Sequence, residues 1–259
     1  MVTGTRKSPP AKALTKQTGG PFLTDAGAPV TTIVDADEDK VEADLLAGLL
    51  ACPDCKGQLF PWGHARSRPV RKGTKEVRIR PRRSICPRCG GSRGKTHVLL
   101  PDSTLIRRRD HVEVIVSAIE AKAAGESRAS IASRLGVNVT TLRGWLRAFV
   151  CNAEAIRSLF THWARVLDPL CGPIEPEATA FKDALSAIGM AVRAAVLRFG
   201  PKPPSALVSA LSSGALLATR TSPIERRPSP DRVASLANDP RRTPWKTRDA
   251  ATSACSVTR

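Results

Sequence analysis

Four of the seven cysteines stand in two matching pairs, Cys52-Pro53-Asp54-Cys55 and Cys86-Pro87-Arg88-Cys89. A Cys-x-x-Cys pair places two sulfurs on one tight turn, and two such pairs supply the four ligands of a tetrahedral structural zinc ion. Redox dithiols and disulfides use the same residue type. However, no βαβ pattern surrounds either pair, and the sequence shows no secretion signal. The spacing therefore predicts a Zn²⁺ site with Cys52, Cys55, Cys86 and Cys89 as its ligands.

The insert between the two pairs, residues 56–85, is longer than the usual spacing of a zinc ribbon, so it must contain a hairpin or an extended loop. Apolar and basic residues alternate from Val77 to Arg80, as in a half-exposed strand, and Lys72-Gly73-Thr74 predicts the turn before it. Residues 98–100 predict the last strand of a small sheet. Such a sheet buries little apolar surface, so we expect zinc binding to supply much of its folding free energy.

A predicted helix precedes this ribbon, and two aromatic residues lie within it. An acidic run followed by an apolar stripe predicts a helix over residues 39–50 that leads into the zinc site. Phe60 and Trp62 are expected to cover the zinc knuckles, because a ribbon has little else for a core; stacking on nucleic-acid bases is the alternative.

Basic residues concentrate in the insert and just after it. From Lys56 to Arg109 the chain has 16 Lys or Arg and two acids, a balance of +14 within a total of +18. Charge at this density repels itself unless an anion neutralises it, which favours a nucleic-acid partner over a solvated basic surface. We expect phosphate contacts from seven arginines of this block: Arg78, Arg80, Arg82, Arg83, Arg107, Arg108 and Arg109.

Apolar residues then recur at helical spacing in three short segments. The first covers residues 110–124 and stops at Gly125, the second covers residues 127–135, and the third covers residues 138–150. Asn138 is a good N-cap for the third helix. Its predicted buried face consists of Leu142, Trp145, Leu146 and Phe149.

The run from Arg128 to Leu146 resembles a helix-turn-helix of the homeodomain-like class, which many transposases and resolvases contain. It has the pattern I-A-x-x-L-G-V, then a capping residue, then an aliphatic residue three positions before Trp. A zinc ribbon followed by a helix-turn-helix resembles the N-terminal DNA-binding region of bacterial insertion-sequence transposases and of related small transposase-like proteins. The likeness covers residues 52–149 and does not reach the C-terminal third.

The resemblance implies that the third helix enters the major groove of double-stranded DNA, with its exposed N-terminal residues at the base edges. Arg143 is expected to read a base and Arg147 to bind a phosphate. Ser127 and Arg128, at the start of the second helix, are expected at backbone phosphates. The positions that match the reading face are Val139, Thr140, Arg143, Gly144 and Arg147.

The expected fold class is mainly α with a small β zinc ribbon, followed by a homeodomain-like three-helix helix-turn-helix and a C-terminal helical region, with disordered termini. The expected divisions are a disordered arm (1–38), a short helix with the ribbon (39–104), the helix-turn-helix (105–150), a helical region (151–220) and a disordered basic tail (221–259). The C-terminal helices are expected to form a bundle, or to bind a second copy or a recombinase.

We expect no enzymatic activity. Tyr is absent, which excludes tyrosine nucleophiles, and the C-terminal acids fall in helices or at Pro breaks rather than on a nuclease-type sheet. No apolar run approaches the roughly 18 residues of a membrane span. The sequence thus predicts a non-catalytic, cytoplasmic, nucleoid-associated DNA-binding protein, either a transcription regulator or an accessory or remnant of a mobile element. A zinc-ribbon adaptor that binds protein or RNA is the alternative.

Overall fold

A computed structural model of the chain describes residues 30–173 and 175–218. Within these residues the chain forms six strands, seven α-helices and one short 3-10 helix, Gly91–Arg93. The strands are β1 (Val30–Val34), β2 (Phe60–His64), β3 (Arg68–Lys72), β4 (Lys75–Ile79), β5 (Arg82–Cys86) and β6 (Lys95–Pro101). The helices are α1 (Glu38–Leu46), α2 (Val112–Ala123), α3 (Arg128–Leu135), α4 (Val139–Cys151), α5 (Ala153–Leu167), α6 (Ala180–Phe199) and α7 (Pro204–Leu211).

The strands form a four-stranded sheet in the order β1-β6-β5-β2 and a separate β3–β4 hairpin. β1 pairs with β6 in parallel, whereas β5 pairs antiparallel with both β6 and β2. The hairpin turns at residues 73–74, as the sequence predicts. The β part is larger than the expected small ribbon, so the architecture is mixed α/β, with an N-terminal sheet that holds the four cysteines and helices after it.

β1 lies within residues 1–38, which the sequence predicts to be disordered; residues 1–29 lie outside the described part of the chain. The segment Val-Thr-Thr-Ile-Val is rich in β-branched residues, which favour strands. Its last three residues, Thr32, Ile33 and Val34, are buried, and all five pair with β6. The disorder prediction is therefore wrong for this strand, because pairing with a distant strand stabilises it.

The sheet and α1 enclose a small core of their own. Asp37 caps α1 by accepting hydrogen bonds from the backbone N–H groups of Asp39 and Lys40, and the helix ends at Leu46 rather than at residue 50. One face of α1 packs on the inner face of the sheet. The buried members of this ribbon core are Val34, Val41, Leu45, Leu50, Cys52, Leu59, Cys86 and Leu99.

The helices share a second and larger core. Leu142, Trp145, Leu146 and Phe149 are all buried on one face of α4, as the sequence predicts. The same core includes Trp163 of α5, the alanine-rich face of α6 and the apolar residues of α7. The structure therefore does not separate residues 105–150 from residues 151–220, because both contribute to one continuous apolar cluster. Among the described helices, none has the length and apolar character that crossing a membrane requires.

The end of the described chain folds back on the linker between the ribbon and α2. Ser209 Oγ donates to Thr104 O at 2.7 Å, and Ile106 N donates to Gly214 O at 2.9 Å. Lys202 Nζ lies 3.0 Å from the Asp35 carboxylate just after β1. These contacts join the ribbon, the linker and the C-terminal helices into one packed unit.

Candidate metal centre and nucleic-acid interface

The sulfurs of Cys52, Cys55, Cys86 and Cys89 all lie within 4.8 Å of one another. The Sγ atoms of Cys52 and Cys89 are 3.8 Å apart, and those of Cys55 and Cys86 are 3.4 Å apart. A tetrahedral zinc with Zn–S bonds of about 2.3 Å requires sulfurs separated by about 3.8 Å. The predicted clustering of the four cysteines is confirmed, and its dimensions fit a four-coordinate metal ion.

The two cysteine turns have equivalent backbones. The residue that follows the second cysteine of each pair has a positive φ angle, 60° at Lys56 and 78° at Gly90. In the first turn, Lys56 N donates to Cys52 O at 2.9 Å, and Gly57 N donates to Cys55 Sγ at 3.4 Å. This curl points both sulfurs of a pair to the same side, where each pair supplies half of a tetrahedron.

Ionisation of the cluster is uneven. The Gly57 N–H hydrogen bond, followed by contacts with Cys89 and Cys86, lowers the pKa of Cys55 to about 7. The hydrogen bond with Cys55, followed by burial, raises the pKa of Cys89 to about 12, and burial also raises the pKa of Cys86. One thiolate thus opposes the ionisation of its neighbours, because like charges at this distance repel. Four thiolates require a cation between them, which fits a divalent metal such as zinc.

His97 is a member of the site that the spacing of the cysteines does not reveal. The sequence makes it unnecessary as a ligand, since four cysteines are present. In the structure it is fully buried on β6, with Nε2 3.6 Å from Cys52 Sγ. A ring N–H at this position can donate to the thiolate and fix the orientation of Cys52. The sequence signals the burial of His97 only through its place on a strand, two residues before the buried Leu99 and therefore on the same face.

Phe60 and Trp62 do not cover the cysteines, and this expectation is wrong. Their exposed fractions are 42% and 54%, because β2 lies at the edge of the sheet and presents both rings to solvent. Leu50 and Leu59 pack around the cysteines instead.

Of the seven arginines expected at phosphates, six fall into two groups. Two of them serve inside the fold: Arg82 binds the Glu42 carboxylate with two hydrogen bonds of 2.7 and 2.9 Å, and Arg108 Nη2 donates to Leu217 O at 2.6 Å. Both guanidinium groups thus have contacts within the fold, and their binding to phosphate stays a prediction. Four others are exposed, namely Arg78, Arg80, Arg107 and Arg109.

Arg83 belongs to neither group. It is half-buried on β5, and its Nε is buried without a hydrogen-bond partner among the described residues. Arg68 on β3 shares this condition at Nε and Nη2, and burial lowers its pKa. Buried guanidinium nitrogens without partners are costly, so an anion that reaches them would stabilise the protein.

The residues expected to read DNA form one exposed surface. Val139, Thr140, Arg143, Gly144 and Arg147 are all exposed along α4, on the side opposite its buried face. Asn138 caps the helix by accepting from Thr140 N at 2.8 Å. Within the described part of the chain, the side chains of Arg143 and Arg147 have no hydrogen bond or ion pair. We call these five residues the α4 face.

Ser127 and Arg128 are exposed at the start of α3. Ser127 is the N-cap of that helix, and its Oγ accepts from Ser130 N at 3.2 Å. Arg134, in the last turn of α3, forms an ion pair with Glu126 at 2.9 Å. Ser127 thus already has a structural role, whereas Arg128 extends from the helix start.

The β3–β4 hairpin lies against the turn between α3 and α4. A Cβ placed on Gly73 would be 3.4 Å from Leu135 O, and one on Gly136 would be 2.9 Å from Thr74 Cγ2. Lys72 and Lys75 stand at this tip, and Lys75 is exposed. Neither lysine is among the residues that the sequence predicts at DNA, because nothing in the local pattern brings residues 72–75 to residue 136.

Comparison with known proteins assigns no family. No protein-family model matches the chain, and no curated protein or solved structure matches it. The geometry of the chain's own residues therefore carries the functional argument.

Proposed function

We propose that the chain is a non-catalytic, zinc-containing protein that binds double-stranded DNA selectively, with α4 in the major groove. In this proposal α2, α3 and α4 are a homeodomain-like helix-turn-helix, and the cysteine cluster holds a structural zinc ion. The biological setting would be a transcription regulator or an accessory of a mobile element, as the resemblance to insertion-sequence transposases implies.

The observation that carries the proposal is the α4 face. A helix that only completes a core hides its apolar face and exposes polar and charged residues on the opposite side. α4 instead exposes a glycine between two arginines that have no partner among the described residues. Arginine side chains on an exposed helix match the acceptor atoms O6 and N7 of guanine, and the methyl groups of Val139 and Thr140 match thymine.

The charge distribution supports the same partner. The balance of +14 between Lys56 and Arg109 lies immediately before α2 in the chain. Arg107 and Arg109 are exposed in the linker that leads to α2. Phosphate contacts from such residues supply affinity, whereas contacts with base edges supply selectivity.

The test is binding of the zinc-loaded full chain to pools of random duplex DNA and random RNA at several salt concentrations, followed by sequencing of the retained molecules. We expect duplex DNA to be retained at about 100 mM salt, with a steep salt slope and an enriched sequence motif. Retention of RNA alone, or of no nucleic acid at that salt, would overturn the proposal.

Arg143→Ala supplies the residue-level test. Loss of a bidentate contact with guanine costs about 1–3 kcal/mol of discrimination, so the enriched motif should lose preference at one position. Arg193→Ala is the matched control, because Arg193 is an exposed arginine on α6, outside the α4 face. An identical motif for Arg143→Ala and the unaltered chain would exclude α4 as the reading helix.

A further inference from the structure

We propose that the β3–β4 hairpin is a second DNA-contacting element, which grips the phosphate backbone beside the groove that α4 enters. The inference rests on the proposed function and adds a surface that the likeness to a helix-turn-helix does not supply. Its residues are Lys75 and Arg78, on a strand that is exposed from Lys75 to Arg78.

The base of the hairpin is fixed to the start of the helical region. Arg71 N donates to Arg109 O at 2.7 Å, and His111 N donates to Arg71 O at 2.8 Å. The Arg71 guanidinium lies 3.0 Å from the carboxylate of Asp110, which is buried. Two backbone hydrogen bonds, together with an ion pair whose carboxylate is buried and whose guanidinium is partly exposed, hold β3 in one position relative to α2.

The tip of the hairpin is fixed as well. Gly73 and Gly136 have φ angles of 64° and 62°, and each presents its bare Cα side to the other turn. Lys72 Nζ binds Glu113 on the first turn of α2 at 2.7 Å. The hairpin is thus positioned rigidly next to the turn that leads into Asn138, which is the end of α4 that would enter the groove.

The charges on the hairpin call for an anion. Lys72 and Lys75 are directly opposite one another across the two strands, and like charges in such a pair destabilise a hairpin. Glu113 compensates Lys72. Within the described residues, the side chains of Lys75 and Arg78 have no ion pair, and both are exposed. The two side chains leave the strand on opposite faces, so two phosphates of one strand that passes along the outer edge of β4 would neutralise them.

The neighbourhood favours nucleic acid over an acidic protein segment. Lys75 follows Thr74, which lies against Gly136, two residues before the N-cap of α4, so one continuous polyanion can contact the hairpin and the α4 face together. Phosphates repeat along each DNA strand about every 3.4 Å of helix axis, so a rigid arm next to a reading helix contacts the flank of its site.

The experiment compares two double variants of the zinc-loaded full chain. Lys75→Ala/Arg78→Ala removes the proposed contacts, and Lys182→Ala/Arg193→Ala removes the same charge from exposed positions on α6. Binding to the selected duplex is measured across salt, together with hydroxyl-radical footprinting of both strands. Thermal unfolding establishes that each variant is folded.

Each phosphate contact contributes about 0.9 to the salt slope, so the hairpin variant should lose about 1.8 from that slope. The ratio of its affinity at 50 mM salt to its affinity at 200 mM salt should therefore be about 12-fold smaller than that of the unaltered chain, and the control variant should not show this decrease. Protection should disappear on one flank of the footprint, while the enriched motif stays the same.

An unchanged slope and footprint for Lys75→Ala/Arg78→Ala, with the Arg143→Ala effect intact, would overturn the hairpin contact and leave the proposed function standing. A shift equal in the two double variants would also overturn it, since net charge alone would then explain the loss. Failure of the unaltered chain to bind duplex DNA would instead overturn the proposed function itself.

Discussion

Gly144→Ala should stabilise the protein and weaken its binding to DNA. Gly144 lies inside α4, and a Cβ added there would meet no atom within 4 Å. Alanine is therefore sterically free in the protein alone. In a complex with DNA, the same methyl group would project from the α4 face between Arg143 and Arg147.

The two effects have separate magnitudes. Glycine in a helix interior is less favourable than alanine by about 1 kcal/mol, which corresponds to a rise in Tm of about 2–4 °C for a chain of this size. An extra methyl group in a closely packed interface costs about 1–3 kcal/mol. The Kd for the selected duplex should then rise by about 5- to 150-fold.

Gly189→Ala is the matched control. Gly189 lies inside α6, is exposed, and also has open space around its missing Cβ. Its substitution should produce the same rise in Tm and leave the Kd unchanged. Calorimetry gives the first quantity, and fluorescence anisotropy with a labelled duplex gives the second. Equal Kd values for Gly144→Ala, Gly189→Ala and the unaltered chain would refute close contact between α4 and DNA.

Four further outcomes are expected. The purified chain should carry about one zinc ion. Cys89→Ser or a strong chelator should remove it and unfold the ribbon, while far-UV circular dichroism retains the signal of α2–α7, because the helices have their own core; parallel loss of the helical signal would contradict this. His97→Ala should weaken zinc binding by about 10- to 100-fold in competition with a chromophoric chelator, because it removes the hydrogen bond to Cys52; equal affinity would exclude that role. Burial, followed by repulsion from Asp35, raises the pKa of Asp102 from 3.8 to about 6, so the folded state keeps a proton that the unfolded chain releases, and stability falls as pH rises through this interval. Asp102→Asn should raise the free energy of unfolding at pH 7 by up to about 3 kcal/mol, and urea titrations from pH 4 to 7 should no longer show the decline.

Local chemistry made part of this protein predictable. The cysteine cluster follows from ligand type and spacing, since two tight turns can supply four sulfurs wherever the intervening chain goes. The buried face of α4 follows from helical periodicity, which places Leu142, Trp145 and Phe149 on one side. Both patterns depend on residues close in sequence.

The remainder depends on contacts between distant segments. β1 is a strand because β6 pairs with it, although its partner residues lie 67 positions later in the chain. The sequence predicts an exposed basic residue at Arg82, whereas in the structure its guanidinium is hydrogen-bonded to the Glu42 carboxylate. The position of the hairpin tip depends on the absence of side chains at Gly73 and Gly136, and neither glycine signals its counterpart in the sequence.

The return of the C-terminal segment to the linker has a consequence for how the protein forms during synthesis. Thr104 is hydrogen-bonded to Ser209, and Ile106 to Gly214. β1 can pair only after β6 has been synthesised. During synthesis from the N-terminus, the four cysteines can bind zinc before the helices have been made. The contacts between the linker and the C-terminal segment can form only after residue 214 has left the ribosome. Release of a truncated chain that ends after α4 would therefore yield a protein with its metal site assembled and its linker unsupported.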